Sequence, residues 1–125
     1  MVSVLDSSAA LAVMFEERGQ DVVIPVMEGA LISSVNAAEV LRVFQRRGSS
    51  PANSRSLFEG LRLRVSTFDN DDATLAAEIG HAAPHLSLGD CACIALARRE
   101  SADQVLTADK IWAETKLGVK IKLIR

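Results

Sequence analysis

Short apolar runs alternate with amphipathic segments along the chain. Five runs are rich in Val, Ile and Leu and have the length of strands: residues 2–5, 30–33, 64–68, 104–107 and 120–124. The first, second and fourth are almost continuously apolar, as expected when both faces of a parallel sheet are covered. The segments between the runs predict helices over residues 7–16, 21–28, 36–47, 51–61, 71–83, 90–99 and 110–117. This alternation predicts a three-layer α/β/α sandwich with a mainly parallel central sheet, built by residues 1–125 as one domain.

Capping residues and helix breakers indicate where the helices end. Asn36 is interpreted as the N-cap of the third helix, which places Glu39 in the first turn and ends the helix at Gly48. Pro25 predicts that the second helix is short or kinked. Asp90 is expected to begin the sixth helix, which is apolar almost all round until its basic end and should therefore be substantially buried.

Composition and charge exclude several classes of protein. Hydrophobic residues make up 49% of the 125 positions, which excludes a disordered chain. The net charge of −2 argues against a module that binds nucleic acid through overall positive charge. No apolar run is long enough to cross a bilayer, and the first residues lack the features of a signal peptide. We therefore expect a cytoplasmic protein, in which nucleic-acid binding would need a local basic patch or metal ions.

Three aspartates are expected at one edge of the predicted sheet. Asp6 directly follows the first apolar strand, and Asp109 follows the run of residues 105–108 at the end of the fourth. Ligands bind at the carboxyl ends of the strands in sheets of this kind. Asp90, at the start of an apolar helix, gives the strongest physical argument for a bound cation, because its charge enters a low-dielectric region. Glu39 follows a further strand end, and Thr107 shares the strand parity of Asp109.

Each acidic residue also has a structural interpretation. Asp6 and Asp109 are suitable N-caps for the helices that follow them, and Glu39 suits a capping box or an ion pair beside Arg42 and Arg46. Together, however, several carboxylates at one edge repel one another unless pKa values rise or a cation binds. A set of oxygen ligands without His or Cys favours Mg²⁺ or Mn²⁺ over zinc, and such ions can promote phosphodiester cleavage.

Other candidate groups give weaker signals. Cys91 and Cys93 are two positions apart on one helix and are interpreted as buried free thiols. His81 and His85 have zinc-ligand spacing, but Pro84 between them indicates a helix end and no third ligand is evident. A set of arginines could hold phosphates near the acidic residues, although solvated helix faces explain such residues more often. These are Arg42, Arg46, Arg47, Arg98 and Arg99.

Four segments give the chain a resemblance to a known family. They are VLDSSA at 4–9, SSVNAAEV at 33–40, LSLGDC at 86–91 and LTAD at 106–109. In order and spacing they resemble PIN-domain ribonucleases, and in particular the VapC-type toxins of bacterial toxin–antitoxin systems, across essentially the whole chain. Trp112 stands where that family commonly has Phe, which is a conservative change of a packing aromatic.

The resemblance implies an endoribonuclease that hydrolyses RNA with Mg²⁺ or Mn²⁺. The catalytic and metal-binding residues that it implies are Asp6, Glu39, Asp90 and Asp109. Asp6 and Asp90 would be the principal ligands, and the hydroxyls of Ser7 and Thr107 would orient a carboxylate or a water molecule. Arg42 and Arg46 are the candidate RNA contacts.

The resemblance also implies partners. Proteins of this family usually form homodimers and are neutralised by a small antitoxin whose tail enters the acidic site. Two other hypotheses stay open: a PIN-like nuclease that acts on DNA or structured nucleic acid outside a toxin–antitoxin system, and a non-enzymatic binding protein with a vestigial site. The intact set of four carboxylates argues against the second.

Overall fold

Five parallel strands form a single sheet in the computed structural model, which describes residues 1–125. The strands are β1 (Ser3–Leu5), β2 (Leu31–Ser33), β3 (Arg64–Ser66), β4 (Gln104–Thr107) and β5 (Ile121–Leu123). Their spatial order is β3-β2-β1-β4-β5, and every neighbouring pair is parallel. The five predicted strands are therefore confirmed, and all but β4 are shorter than predicted.

Seven helices connect the strands, as the sequence predicts. They are α1 (Ser7–Met14), α2 (Gln20–Met27), α3 (Ser34–Arg46), α4 (Pro51–Glu59), α5 (Asn70–Ala82), α6 (Leu88–Arg99) and α7 (Lys110–Glu114). Helix α2 is short and contains Pro25, in agreement with the prediction. None of the helices combines the length and the apolar character needed to cross a membrane.

The central strands β1, β2 and β4 are covered on both faces, and their alternate residues point to opposite sides of the sheet. The edge strands β3 and β5 are more exposed. Val4 and Val105 pack with α5, α6 and α7, whereas Leu5 and Leu106 pack with α1 and α2. A third cluster joins α1, α3 and α4 over Ile32. Eight of the twelve residues of α6 are buried, which confirms the prediction for this helix. The three-layer α/β/α architecture is thus confirmed.

The starts of α3 and α6 differ from the prediction. The Ser33 hydroxyl caps α3 by accepting a hydrogen bond from the N–H of Val35, so the prediction that Asn36 is the cap was wrong. Glu39 consequently lies in the second turn of α3. Helix α6 begins before Asp90, because Ser87 is its N-cap. In both cases a serine at the end of the preceding segment supplies the capping oxygen earlier than the sequence pattern indicated.

The aromatic residue of the last helix is a core residue. Trp112 is fully buried and belongs to the same apolar cluster as Val105 and Leu117. Its large side chain therefore fixes α7 against the sheet next to β4, and the interpretation of Trp112 as a packing residue is confirmed.

Candidate active site

The acidic residues lie where the order of the strands reverses. From β1 the chain proceeds outward to β2 and β3 on one side, while β4 and β5 lie on the other. Such a switch point, outside the carboxyl ends of the strands, is the usual ligand site of an open parallel sheet. Asp6 directly follows β1, and Asp109 lies two residues beyond the end of β4.

Asp6 is buried and held by three donors. Its side chain is the N-cap of α1, where Oδ1 accepts hydrogen bonds from the N–H of Ala9 at 2.9 Å and from the hydroxyl of Ser8 at 2.6 Å. Oδ2 accepts a hydrogen bond from the Thr107 hydroxyl at 2.6 Å. Residue Asp6 is only 7% exposed. The capping interpretation is thus confirmed, but the same carboxylate is also fixed from β4.

No basic side chain compensates the charge of Asp6. Burial raises the pKa of this carboxyl to about 6, even though the hydrogen bonds from Ser8, Thr107 and Ala9 act to lower it; the charge of Asp90 adds to the rise. None of the ion pairs of the protein includes Asp6. Ionisation of Asp6 is therefore less favourable than for a carboxyl group in water, and a cation at this place would stabilise the ionised form.

Asp90 lies at the third position of α6 and is half-buried. Its Oδ2 accepts a hydrogen bond from the N–H of Ser87 at 3.0 Å, which completes a capping box. Burial raises the pKa of Asp90, the hydrogen bonds of Ser87 oppose this, and the charges of Asp109 and Glu39 add to the rise. The Asp90 side chain turns back toward Ser87, and Asp90 is less buried than Asp6.

Glu39 lies against the first turn of α6. Its Oε1 accepts hydrogen bonds from the hydroxyl of Ser7 and from Nδ2 of Asn36, the second at 2.8 Å. A Cβ atom at Gly89 would lie only 2.5 Å from Glu39 Oε2, so a glycine is required for this approach. Glu39 takes part in neither a capping box nor an ion pair with Arg42, so both structural interpretations of this residue were wrong.

Asp109 is exposed and caps α7 by accepting a hydrogen bond from the N–H of Ile111 at 3.0 Å. Its own backbone N–H donates to the hydroxyl of Thr107 at 3.0 Å. Since the Thr107 hydroxyl also donates to Asp6, one fully buried threonine connects the two aspartates. The structure thus brings the predicted hydroxyl neighbour, Thr107, into contact with the site.

The four carboxylates approach one another without forming a closed cluster. The pKa of the buried Cys93 thiol is raised by burial and by the charges of Asp6, Asp90 and Glu39. Glu39, Asp90 and Asp109 each have one carboxylate oxygen that accepts no hydrogen bond from the protein. No three His, Cys, Asp or Glu side chains lie close enough together to form a ready-made metal-binding group.

Three residues of the site were not selected from the sequence. Ser8 holds Asp6 and also accepts a hydrogen bond from the N–H of Ala108 at 2.9 Å. Asn36 and Gly89 position Glu39. Ser8 could have been identified from its position two residues after an aspartate at a strand end. Asn36 was interpreted as a helix N-cap, so its contact with Glu39 was missed.

The candidate phosphate-binding arginines fall into two groups. Arg42 and Arg46 are exposed on α3, form no ion pair, and lie about 5 and 10 Å along the helix axis from Glu39. Arg98 and Arg99 are engaged in structural contacts, Arg98 with the carbonyl of Leu117 and Arg99 with an aspartate of α5.

None of the remaining candidates forms part of a group of side chains that could hold a metal ion. Arg47 stacks over the ring of Phe15 at 4.0 Å from its centroid. Cys91 and Cys93 are buried free thiols, as predicted. His85 contacts Thr115 at 3.2 Å, and no histidine belongs to a group that could hold a metal ion.

The fold and this site define the class of the protein. A family model described as the PIN domain matches residues 3–117. The chain belongs to the PIN domain family.

Solved structures with the same fold include toxin–antitoxin proteins. The chain is similar to a chain of a toxin–antitoxin complex from Klebsiella pneumoniae (TM-score 0.79, 14% identity, 98% of each chain covered). It is also similar to DNA-bound VapBC from Salmonella typhimurium (TM-score 0.75, 19% identity, 100% of this chain and 99% of that chain). A third similar structure is VapC20 of Mycobacterium tuberculosis, a sarcin–ricin loop cleaving toxin (TM-score 0.72, 15% identity, 90% and 93% covered). No curated protein matches the chain at a significant level.

Proposed function

We propose that this protein is the toxin of a toxin–antitoxin pair and acts as a divalent-metal-dependent endoribonuclease in the cytoplasm. The observation that carries the proposal is Asp6, a buried carboxylate without a basic partner at the switch point of the sheet. The charge of Asp90 acts on Asp6, and the charges of Glu39 and Asp109 act on Asp90. Membership of the PIN domain family supports a nuclease. The toxins among the similar structures support the toxin role.

The donor set fits Mg²⁺ or Mn²⁺. Asp6 and Asp90 would hold the ion, and Glu39 and Asp109 would complete its surroundings directly or through water molecules. All four supply hard carboxylate oxygens, and three of them keep an oxygen without a protein donor. When bound, the metal would lower the pKa of a water molecule and stabilise negative charge on the leaving oxygen.

The protein's own side chains would hold these ligands in place. The hydroxyls of Ser8 and Thr107 fix both oxygens of Asp6, and the hydroxyl of Ser7 contacts Glu39. Arg42 and Arg46 would attract the RNA backbone from α3, because their charges are not engaged in ion pairs. We further propose a homodimer and a small antitoxin whose tail enters the acidic site.

A cleavage experiment tests the proposal. Purified protein is incubated with an RNA and a single-stranded DNA of the same sequence, in Mg²⁺, Mn²⁺ or EDTA. We expect cleavage of the RNA only, in either metal, and loss of cleavage in Asp6→Asn and Asp90→Asn. Asp71→Asn, which changes an exposed aspartate in the first turn of α5, is the matched control and should cleave normally.

The possible outcomes separate the hypotheses. Cleavage of the DNA as well would favour a PIN-like nuclease outside a toxin–antitoxin system. Cleavage that persists in both aspartate variants or in EDTA would overturn the metal site. The toxin role has its own test: expression should arrest growth, and co-expression of a short reading frame encoded next to the gene should restore it.

A further inference from the structure

We infer that Asn36 is a positioning residue, which fixes the carboxylate of Glu39 against the first turn of α6 and thereby sets the affinity of the acidic site for Mg²⁺ or Mn²⁺. The inference rests on the proposed function, because it assigns a role in the same metal site. It concerns a residue whose side chain contacts the carboxylate of Glu39 and carries no charge of its own.

The Asn36 side chain connects three elements of the site. It is 1% exposed, and its Nδ2 donates to Glu39 Oε1 at 2.8 Å and to the carbonyl oxygen of Gly89 at 3.0 Å. The Ser7 hydroxyl oxygen lies 3.5 Å from the same nitrogen. One amide group therefore links α3 to α1 and to the turn of α6 that carries Asp90.

The unequal use of the two ends of this amide indicates a role beyond stability. Nδ2 has three acceptors around it, whereas Oδ1 of Asn36 is buried and has no hydrogen-bond partner in the protein. An unpartnered buried carbonyl oxygen is unfavourable, and most buried polar atoms are paired. The contacts that justify a buried amide here are all made to groups of the acidic site.

The position of Glu39 depends on these contacts. Its carboxylate lies beside Gly89, and its charge acts on the neighbouring Asp90. Without the Asn36 donor, only the Ser7 hydroxyl would hold Glu39 in this place, and repulsion from Asp90 would favour its rotation away from α6. Groups that orient metal ligands typically change metal affinity by 10–100-fold when they are removed.

Calorimetric titration with Mn²⁺ tests the inference. We expect Asn36→Ala and Asn36→Leu to bind Mn²⁺ about tenfold more weakly than the unsubstituted protein. The leucine variant has a side chain of similar size, so it removes the donor without leaving a cavity. Asn53→Ala is the matched control, because Asn53 occupies the same third position of α4 but is exposed, and it should bind normally. Thermal melts in EDTA identify the folded variants.

A double-mutant cycle distinguishes positioning from a structural effect. If Asn36 acts through Glu39, Asn36→Ala should have no further effect on Mn²⁺ affinity in a Glu39→Ala background. Equal losses in both backgrounds, or normal affinity in the folded Asn36 variants, would overturn the inference alone. Failure of the unsubstituted protein to bind Mn²⁺ would instead overturn the proposed function, and this inference with it.

Discussion

Two aspartates in this protein have a low exposed fraction, but only one has a basic partner. Asp6 is 7% exposed and Asp72 is 3% exposed. Nε and Nη2 of Arg99 donate to the two oxygens of Asp72 at 2.8 and 3.3 Å. Burial alone would raise the pKa of Asp72, but the hydrogen bonds from Arg99 and the backbone of Asp69, with the Arg99 charge, bring it below its usual value. For Asp6, the effect of burial on the pKa is larger than that of the hydrogen bonds, so the pKa is raised.

The presence of a basic partner distinguishes Asp72, a structural carboxylate, from Asp6, a candidate functional one. Arg99 also donates to Ser66 and Glu100, so its guanidinium joins α5, α6 and β3. The Asp72 charge is thus neutralised by the fold itself. A buried charge without such compensation is unfavourable. Asp6 is therefore the place where an external cation would gain most, and the comparison can be tested by changing each aspartate in turn.

The largest expected effect is a difference in RNA cleavage between the variants Asp6→Asn and Asp72→Asn. Asp6→Asn should lower metal-dependent RNA cleavage by more than about 100-fold, because it removes a principal ligand. Asp72→Asn should cleave normally when folded but lose about 2 kcal/mol of stability, less than a fully buried pair because Arg99 is 35% exposed. Cleavage per folded molecule and urea unfolding measure the two quantities. Equal activities of the two variants would contradict the assignment of Asp6.

The second prediction is that the two aspartates have opposite effects on the pH dependence of stability. In EDTA, folded Asp6 keeps its proton until about pH 6, whereas in the unfolded chain it is lost near the ordinary value of 3.8. The folded state then binds more protons, so stability should fall as pH rises from about 4 to 6, by roughly 3 kcal/mol, with Asp90 acting in the same direction. The lowered pKa of Asp72 contributes stability that is lost as pH falls below about 4.

Urea unfolding at pH 4.5 and 7.5 checks this prediction. Asp6→Asn should remove most of the loss of stability between these two pH values. Asp72→Asn should leave that loss unchanged. Adding Mg²⁺ at pH 7.5 should restore stability to the unsubstituted protein and not to Asp6→Asn, because only the ionised carboxylate gains from the cation. An unchanged decrease in Asp6→Asn would show that its charge is already compensated in the metal-free protein.

The order of strands and helices along the chain could be predicted because burial determines which positions are apolar. A parallel strand covered on both faces, such as β2, is largely apolar, and its end marks the edge where ligands bind. Asp6 and Asp109 follow from this rule alone. The switch point between β1 and β4 could not be predicted, since strand order depends on which runs pair in space.

The surroundings of Glu39 could not be predicted either, because they too depend on contacts between residues far apart in the sequence. The contact between Asn36 and Gly89 joins residues 53 positions apart, and no local pattern encodes it. A polar residue three positions before a glutamate suits a helix cap as well as an internal bridge, so the sequence pattern favoured the cap. The greater burial of Asp6 compared with Asp90 likewise depends on how α6 packs over the sheet.

Gly89 offers a substitution that should change metal binding with little effect on stability. A Cβ at this position would displace the Glu39 carboxylate, which is the end of a flexible side chain, and alanine is the better helix former. Gly89→Ala should therefore bind Mn²⁺ roughly tenfold more weakly and unfold at the same or a higher urea concentration. Gly80→Ala, where a Cβ meets only the Cys91 sulfur at 3.4 Å, is the control. Normal Mn²⁺ affinity in Gly89→Ala would show that the position of Glu39 does not matter for metal binding.

The smallest expected effects are those of the exposed arginines on α3. Each of Arg42→Ala and Arg46→Ala should weaken RNA binding a few-fold and reduce the slope of log affinity against log salt by about one, if its charge contacts a phosphate. The effect should be larger for Arg42, which is one helical turn from Glu39. Arg55→Ala, whose guanidinium pairs with Glu59 on α4, is the control. Binding measured at several salt concentrations decides the matter: slopes equal to that of the unsubstituted protein would place the RNA elsewhere, on a surface that does not include α3.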